Sequence, residues 1–194
     1  MKRLVVLTLG LGFIAASLSA ATETYTIDPV HSSIGFTVRH FVSKVPGVFT
    51  KVSGAITVDR DNLEKSSVEA TIDAASFDTQ NEKRNAHVKS DAFLDVAKFP
   101  LITFKSKSWK KTGEDSFAVT GDLTIHGVTR EVVLDTKLLG FGEGMAGIQL
   151  SGWEVTTILK KSDFGVDGPA MLAKVVGDEV AVHITIEADH KPSA

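Results

Sequence analysis

The stretch Glu179-Val180-Ala181-Val182-His183-Ile184-Thr185-Ile186-Glu187-Ala188 decides the fold. Its even positions from Val180 to Ile186 are β-branched and apolar, and Glu179, His183, Thr185 and Glu187 stand between or beside them. Successive side chains of a strand point to opposite faces, so this segment is a strand with one face for a core and one for water. Ser33 to His40 repeats the pattern: Ile34, Phe36 and Val38 are apolar, whereas Ser33, Thr37 and Arg39 are polar. Parity also places His40 on the inner face, near an end of its strand.

Working outward, the same reading gives strands at Thr24 to Ile27, Ala55 to Asp59, Ser67 to Asp73, Leu101 to Trp109, Ser116 to Ile125, Thr129 to Leu139 and Ile148 to Lys160. With the first two segments that makes eight or nine. Turn residues separate them, at Asp61-Asn62, Gly113-Glu114-Asp115, His126-Gly127 and the glycine-rich run Gly140 to Gly147. Strands joined by short turns pair as hairpins, so the sheet is antiparallel. Between Asp78 and Asp95 the alternation stops, and Asn81 to Ala92 reads as one or two helical turns lying across an end of the sheet.

About eight sequential strands with one apolar face must pack on a second sheet or close on themselves, and closure removes exposed edges. The expected fold is therefore all-β, a single antiparallel barrel, with a sandwich as the alternative. A barrel of this size can be filled by its own side chains or hold one small ligand, as lipocalins do. A barrel embedded in an outer membrane needs an apolar outer face. Lys105, Lys107, Glu179 and Glu187 fall on the outside and place water there.

The first residues differ from all that follows. Lys2 and Arg3 precede an apolar run from Leu4 to Leu18, and Ser19-Ala20-Ala21 supplies the small residues a signal peptidase reads. Residues 1–21 are expected to be a signal peptide cleaved near Ala20 or Ala21, with residues 22–194 forming one exported domain. The remaining 173 residues carry 19 basic and 24 acidic side chains, a net charge of about −5. That balance argues against nucleic acid as a partner. Zero Cys excludes disulfides, thiolate nucleophiles and Cys-ligated metals.

Catalytic motifs are sparse. Gly142-Glu143-Gly144-Met145-Ala146-Gly147 has the spacing of a dinucleotide-binding turn. It is followed by a strand rather than a helix, so a hairpin loop explains its glycines. No Gly-x-Ser-x-Gly elbow occurs, and the six His lack metal-ligand spacing. Of these, His31, His40 and His87 are the candidates to converge, either as a polar cap at a barrel mouth or as a catalytic zinc site, the cap being favoured. No catalytic residue, metal or cofactor is expected.

Tyr25-Thr26-Ile27-Asp28-Pro29-Val30-His31-Ser32, followed by Phe36-Thr37-Val38-Arg39-His40, resembles the opening of the YceI-like family. Further matches run along the chain: Val45-Pro46-Gly47-Val48-Phe49 with Gly54; Ser76 to Thr79 with Asn81, Arg84, His87 and Ser90-Asp91-Ala92-Phe93; Phe99 to Ser106; Gly121 to Thr129; and Ser162-Asp163-Phe164-Gly165. Two positions depart: Asn85 stands where the family usually has an acid, and Lys160-Lys161 where an Arg often precedes Ser-Asp-Phe-Gly. The resemblance implies a periplasmic, lipocalin-like extended barrel holding a polyisoprenoid, an isoprenoid quinone or a fatty-acid amide, a homodimer, and a link to stress tolerance. It carries over no catalytic residue.

The residues themselves supply a matching lining. Ile34, Phe36, Val38, Ile72, Ile102, Phe104, Leu123 and Ile125 face inward by parity, and Phe49, Phe93, Phe99, Trp153 and Phe164 could furnish aromatic walls near its ends. With His40 these are the expected ligand-binding residues. Whether the interior is hollow or filled is not encoded in alternation. Three functions follow: a carrier of a long apolar molecule, a lipid hydrolase or isomerase using His31, His40 or His87, or an adaptor with a solid barrel.

Overall fold

A computed structural model describes residues 22–191, so the expected signal peptide, residues 1–21, lies outside the described residues. Among the described residues eleven strands and one short α-helix follow one another, with 3-10 turns in some of the connections. They are β1 (Glu23–Ile27), β2 (Ser33–His40), β3 (Ser43–Phe49), β4 (Val52–Val58), β5 (Ser67–Asp73), β6 (Phe77–Asp78), α1 (Glu82–Lys89), β7 (Leu101–Lys111), β8 (Ser116–Ile125), β9 (Val128–Glu143), β10 (Gln149–Lys160) and β11 (Val176–His190).

All pairings are antiparallel, and they close into a barrel of eight strands, with β11 returning to β1 at Thr26↔Asp189 and Ile27↔Ala188. The remaining three strands lengthen it. β2 pairs with the other part of β11, from Val176↔His40 to Thr185↔Ser33, so β1 and β2 lie end to end along one neighbour. On the next stave β4 pairs with β1 and β3 with β2; on the third, β5 pairs with β4 and β6 with β3. Three of the eight staves are thus broken in two, which is how an eight-stave barrel contains eleven strands.

Alternation did not pick out β3, because Pro46 and Gly47 interrupt it, but the chain pairs there from Ile34↔Phe49 to His40↔Ser43. Bulges reset the inward face elsewhere. In β7 the register against β8 shifts between Ser106 and Ser108, so that Trp109 turns inward with Ile102 and Phe104 although its number is odd. The register of β9 on β10 shifts beside Gly152 and Trp153, and Phe141 as well as Leu138 packs against the core.

α1 occupies the place expected for it. Asn81 caps its first turn, accepting from the Arg84 N–H at 3.0 Å. Asn85, at the position where an acid was expected from the resemblance, ties the helix to β6: its carbonyl accepts from the Thr79 N–H and hydroxyl, and its amide donates to Asp78 at 2.7 Å. The outer wall carries ion pairs. Lys105 pairs with Glu69 at 2.6 Å, and Lys107 with Asp122 at 2.6 Å and Glu131 at 3.1 Å. Among the described residues no helix is long and apolar enough to cross a membrane.

Candidate functional site: an apolar cavity closed at one end

The interior holds a cavity of about 310 Å³, within the range of small-molecule sites. Its wall is drawn from every stave and is apolar except for Thr136, Thr157 and Lys161. Along β11 alone the lining runs from Val176 to Ile186, about 30 Å of strand at ~3.3 Å per residue. The space is long and narrow. It suits an extended chain better than a compact ring system.

Twelve of the fourteen expected residues line it. Ile34, Phe36, Val38, Phe49, Ile72 and Phe93 do so from one arc, and Ile102, Phe104, Leu123, Ile125, Trp153 and Phe164 from the other. His40 and Phe99 do not. His40 is exposed at the rim, where the register of β11 on β2 slips between Val176 and Val180, and its ring lies edge-on to Phe41. Phe99 precedes Pro100 in the connection to β7, where strand parity has no hold. Its ring sits edge-on to His126, 4.5 Å between centroids, and covers Gly127.

One end is plugged. Tyr25, Val58, Phe117, Val119 and Trp153 are buried there, and Trp109 meets Trp153 edge-on at 5.4 Å. The Trp153 indole N–H donates to the buried Ser151 hydroxyl at 3.1 Å. A latch closes over this plug: Arg60 donates to Glu23 at 2.7 Å and to the Tyr25 hydroxyl, Tyr25 donates to Glu23 at 2.6 Å, and the guanidinium lies 4.2 Å from the Phe141 ring centre. Burial disfavours the Glu23 carboxylate, yet the hydrogen bonds from Tyr25 and Arg60, with the Arg60 charge, outweigh it and hold its pKa below the ordinary value.

The other end meets water. Lys161 contributes to the lining while its ammonium donates to the Asp167 carbonyl at 3.2 Å, an apolar stem inside and a charged tip at the rim. Val88, Phe93 and Leu94, from α1 and the turns after it, reach over this end from one side. Phe164 and Val166, from the loop between β10 and β11, reach over it from another.

Glycines keep the space between these ends open. A Cβ on Gly47 would lie 2.2 Å from the Phe36 ring, and one on Gly121 would lie 2.5 Å from the Phe104 ring. Phe36 is paired with Gly47 across β2 and β3, so its ring lies flat over the missing side chain instead of standing across the lumen. It also stacks on Phe77 with centroids 5.2 Å apart. These large residues therefore form wall rather than filling. Alternation could not announce this, although aromatic and glycine facing each other across a hairpin are a readable signal once pairing is known.

His31, His40 and His87 do not come together. His31 lies before the start of β2 and His40 at its end, so the eight residues of that strand, about 25 Å at ~3.3 Å per residue, lie between them. His31 instead sits at the break between β1 and β2 on the outer wall. Its Nδ1 is 2.6 Å from Asp28 and 3.6 Å from Glu187. The hydrogen bond and charge of Asp28, then the charge of Glu187, raise the His31 pKa, and the hydrogen bond from His31, then one from the Val30 N–H, lowers that of Asp28. The three groups form a clasp where the stave is interrupted. His87 is exposed on α1, edge-on to Phe93.

Comparison with known proteins agrees with this architecture. The sequence model of the YceI-like domain matches residues 25–188. The Protein YceI of Salmonella arizonae is 38% identical over 188 residues, covering 91% of this chain and 95% of the relative. The crystal structure of BcnA from Burkholderia cenocepacia superposes with a TM-score of 0.77 at 25% identity, covering 84% of this chain and 99% of that one. A polyisoprenoid binding domain from Saccharophagus degradans, implicated in plant cell wall breakdown, shares the fold with a TM-score of 0.64 at 17% identity, covering 86% and 98%.

Proposed function

Since the chain belongs to the YceI-like family, we propose that it is a binding and carrier protein for a long-chain apolar ligand of the polyisoprenoid class, an isoprenoid quinone or a fatty-acid amide being the close alternatives. The observation that carries this reading is the long cavity with its nearly unbroken apolar wall. Each methylene moved from water into such a wall contributes roughly 0.8 kcal/mol before ordering costs. A chain of several isoprene units can therefore be held without any hydrogen bond. The polyisoprenoid binding of the Saccharophagus degradans domain supports the ligand class.

The reading includes location. Residues 1–21 act as a signal peptide, cleaved near Ala20 or Ala21, and residues 22–194 work as one domain in the periplasm, where a homodimer is the expected assembly. The alternative, a lipid hydrolase or isomerase using His31, His40 or His87 as acid or base, has less support, because none of the three lines the cavity. Mass spectrometry of lipid extracted from protein purified without detergent tests the proposal. A co-purifying prenyl or long acyl chain in stoichiometric amount is expected, and protein that is lipid-free and binds no added prenyl chain would overturn it.

A further inference from the structure

The barrel's two ends differ on their outer surfaces as much as inside. At the open end the hairpin joining β2 to β3 carries Phe41 at 58% and Val42 at 103% of full exposure. The loop before β11 carries Met171 at 83%. The two segments form one surface: the Phe41 N–H donates to the Val175 carbonyl at 2.8 Å, and the Arg39 guanidinium donates to the Phe41 carbonyl at 3.0 Å. Phe41 is held at φ 48°, a left-handed conformation that disfavours bulky residues, so the tip keeps an aromatic where a polar turn residue would be easier.

Charge sharpens the contrast. In residues 39–45 and 169–176 the ionised side chains are Arg39, Lys44 and Lys174, with no acid among them, in a chain whose net charge is −3. At the plugged end the turns 59–66, 112–115 and 143–148 hold six acids against two bases. An exposed apolar tip flanked by cations beside the mouth of an apolar cavity fits one kind of partner. We propose that this end docks on an anionic phospholipid bilayer, with Val42, Phe41 and Met171 entering the interface and Arg39, Lys44 and Lys174 meeting the headgroups, so that ligand passes between membrane and cavity without crossing water.

The proposal rests on the lipid-carrier reading. Every methylene exposed during transfer through water opposes desorption about fourfold, and docking the mouth removes that barrier. Each cation near an anionic leaflet strengthens adsorption about fivefold.

The test is co-sedimentation of the full mature chain with vesicles of phosphatidylcholine alone or mixed equally with phosphatidylglycerol. The parent protein is expected to bind the anionic vesicles and to be released by high salt, since exposed charges are screened. The double variant Lys44→Gln, Lys174→Gln should bind about 25-fold more weakly, and Val42→Ser should weaken binding independently of salt. Met145→Ser, at the plugged end and 90% exposed, should change nothing. The proposal is overturned if the parent ignores anionic vesicles, if the double Gln variant binds as the parent does, or if Met145→Ser matters as much as Val42→Ser. Binding of a short, water-soluble geranyl probe separates the two readings. A parent that takes the probe but not vesicles refutes docking alone; one that takes vesicles but not the probe leaves docking standing and refutes the carrier.

Discussion

The plugged half and the hollow half are built from the same alternating strands, yet they use large residues in opposite ways. Around Trp109 and Trp153, rings meet edge to face and fill the space between staves. Around Phe36 and Phe104, rings lie back over Gly47 and Gly121 and leave the axis open. What separates a core from a binding cavity is thus whether a neighbouring glycine, directly opposite as Gly47 is to Phe36 or diagonal as Gly121 is to Phe104, lets each aromatic lie back against the wall, not the number of apolar residues. The filled half supplies packing enough to hold the barrel closed while the other half stays hollow.

This contrast can be broken most forcefully at Trp153. Trp153→Ala opens a void in a packed region and should cost about 3–5 kcal/mol of stability in denaturant unfolding of the ligand-free protein. Phe36→Ala removes wall that already borders open space, so only its transfer free energy is lost, about 1.5–3 kcal/mol, while binding of a prenyl chain weakens. Equal costs for the two variants would mean that both halves are packed alike. Gly47→Ala works in the other direction: the added methyl presses on the Phe36 ring and the Thr79 methyl, an overpacking that should cost about 1–3 kcal/mol of stability, and the ring, pushed toward the lumen, should weaken ligand binding.

The smallest effect concerns the outer wall, where the halves join at the break between β1 and β2. His31 has a raised pKa, so its part of the clasp is present while it is protonated and is lost as pH rises through that raised value. Asp28 has a lowered pKa, so its part is present above the ordinary carboxylate range and is lost as pH falls through the lowered value. The clasp is therefore tightest in mildly acidic solution. NMR titration of His31 should show its pKa falling toward the ordinary value in Asp28→Asn and by less in Glu187→Gln; equal small changes would place the raised pKa elsewhere.

Much of the barrel was legible because alternation marks faces directly: Ile34, Phe36, Val38, Ile102, Phe104, Leu123 and Ile125 all lie inward where parity put them. Two expected residues fall outside the cavity wall, for local reasons. His40 obeys parity in number but is exposed at the rim, beside the register slip of β11 on β2. Phe99 lies outside any strand, so its direction was set by packing on the β8–β9 turn. The hollow itself was not legible, since it depends on which rings come to lie against Gly47 and Gly121, and that is set by register, a property of the folded sheet. Neither were the bulge that turns Trp109 inward nor the staves broken into two strands.

The chain contains two Trp, and both line the plugged end of the cavity, where they report on what reaches it. Titrating the mature protein with long-chain lipids brominated either at the chain terminus or beside the headgroup tests most directly whether a chain enters from the open end and runs the length of the barrel. Terminal bromine should quench Trp109 and Trp153 fluorescence in a saturable, stoichiometric way, whereas bromine beside the headgroup should leave it nearly unchanged. Absence of quenching by either lipid, or equal quenching by both, would contradict a hollow barrel closed at the tryptophan end.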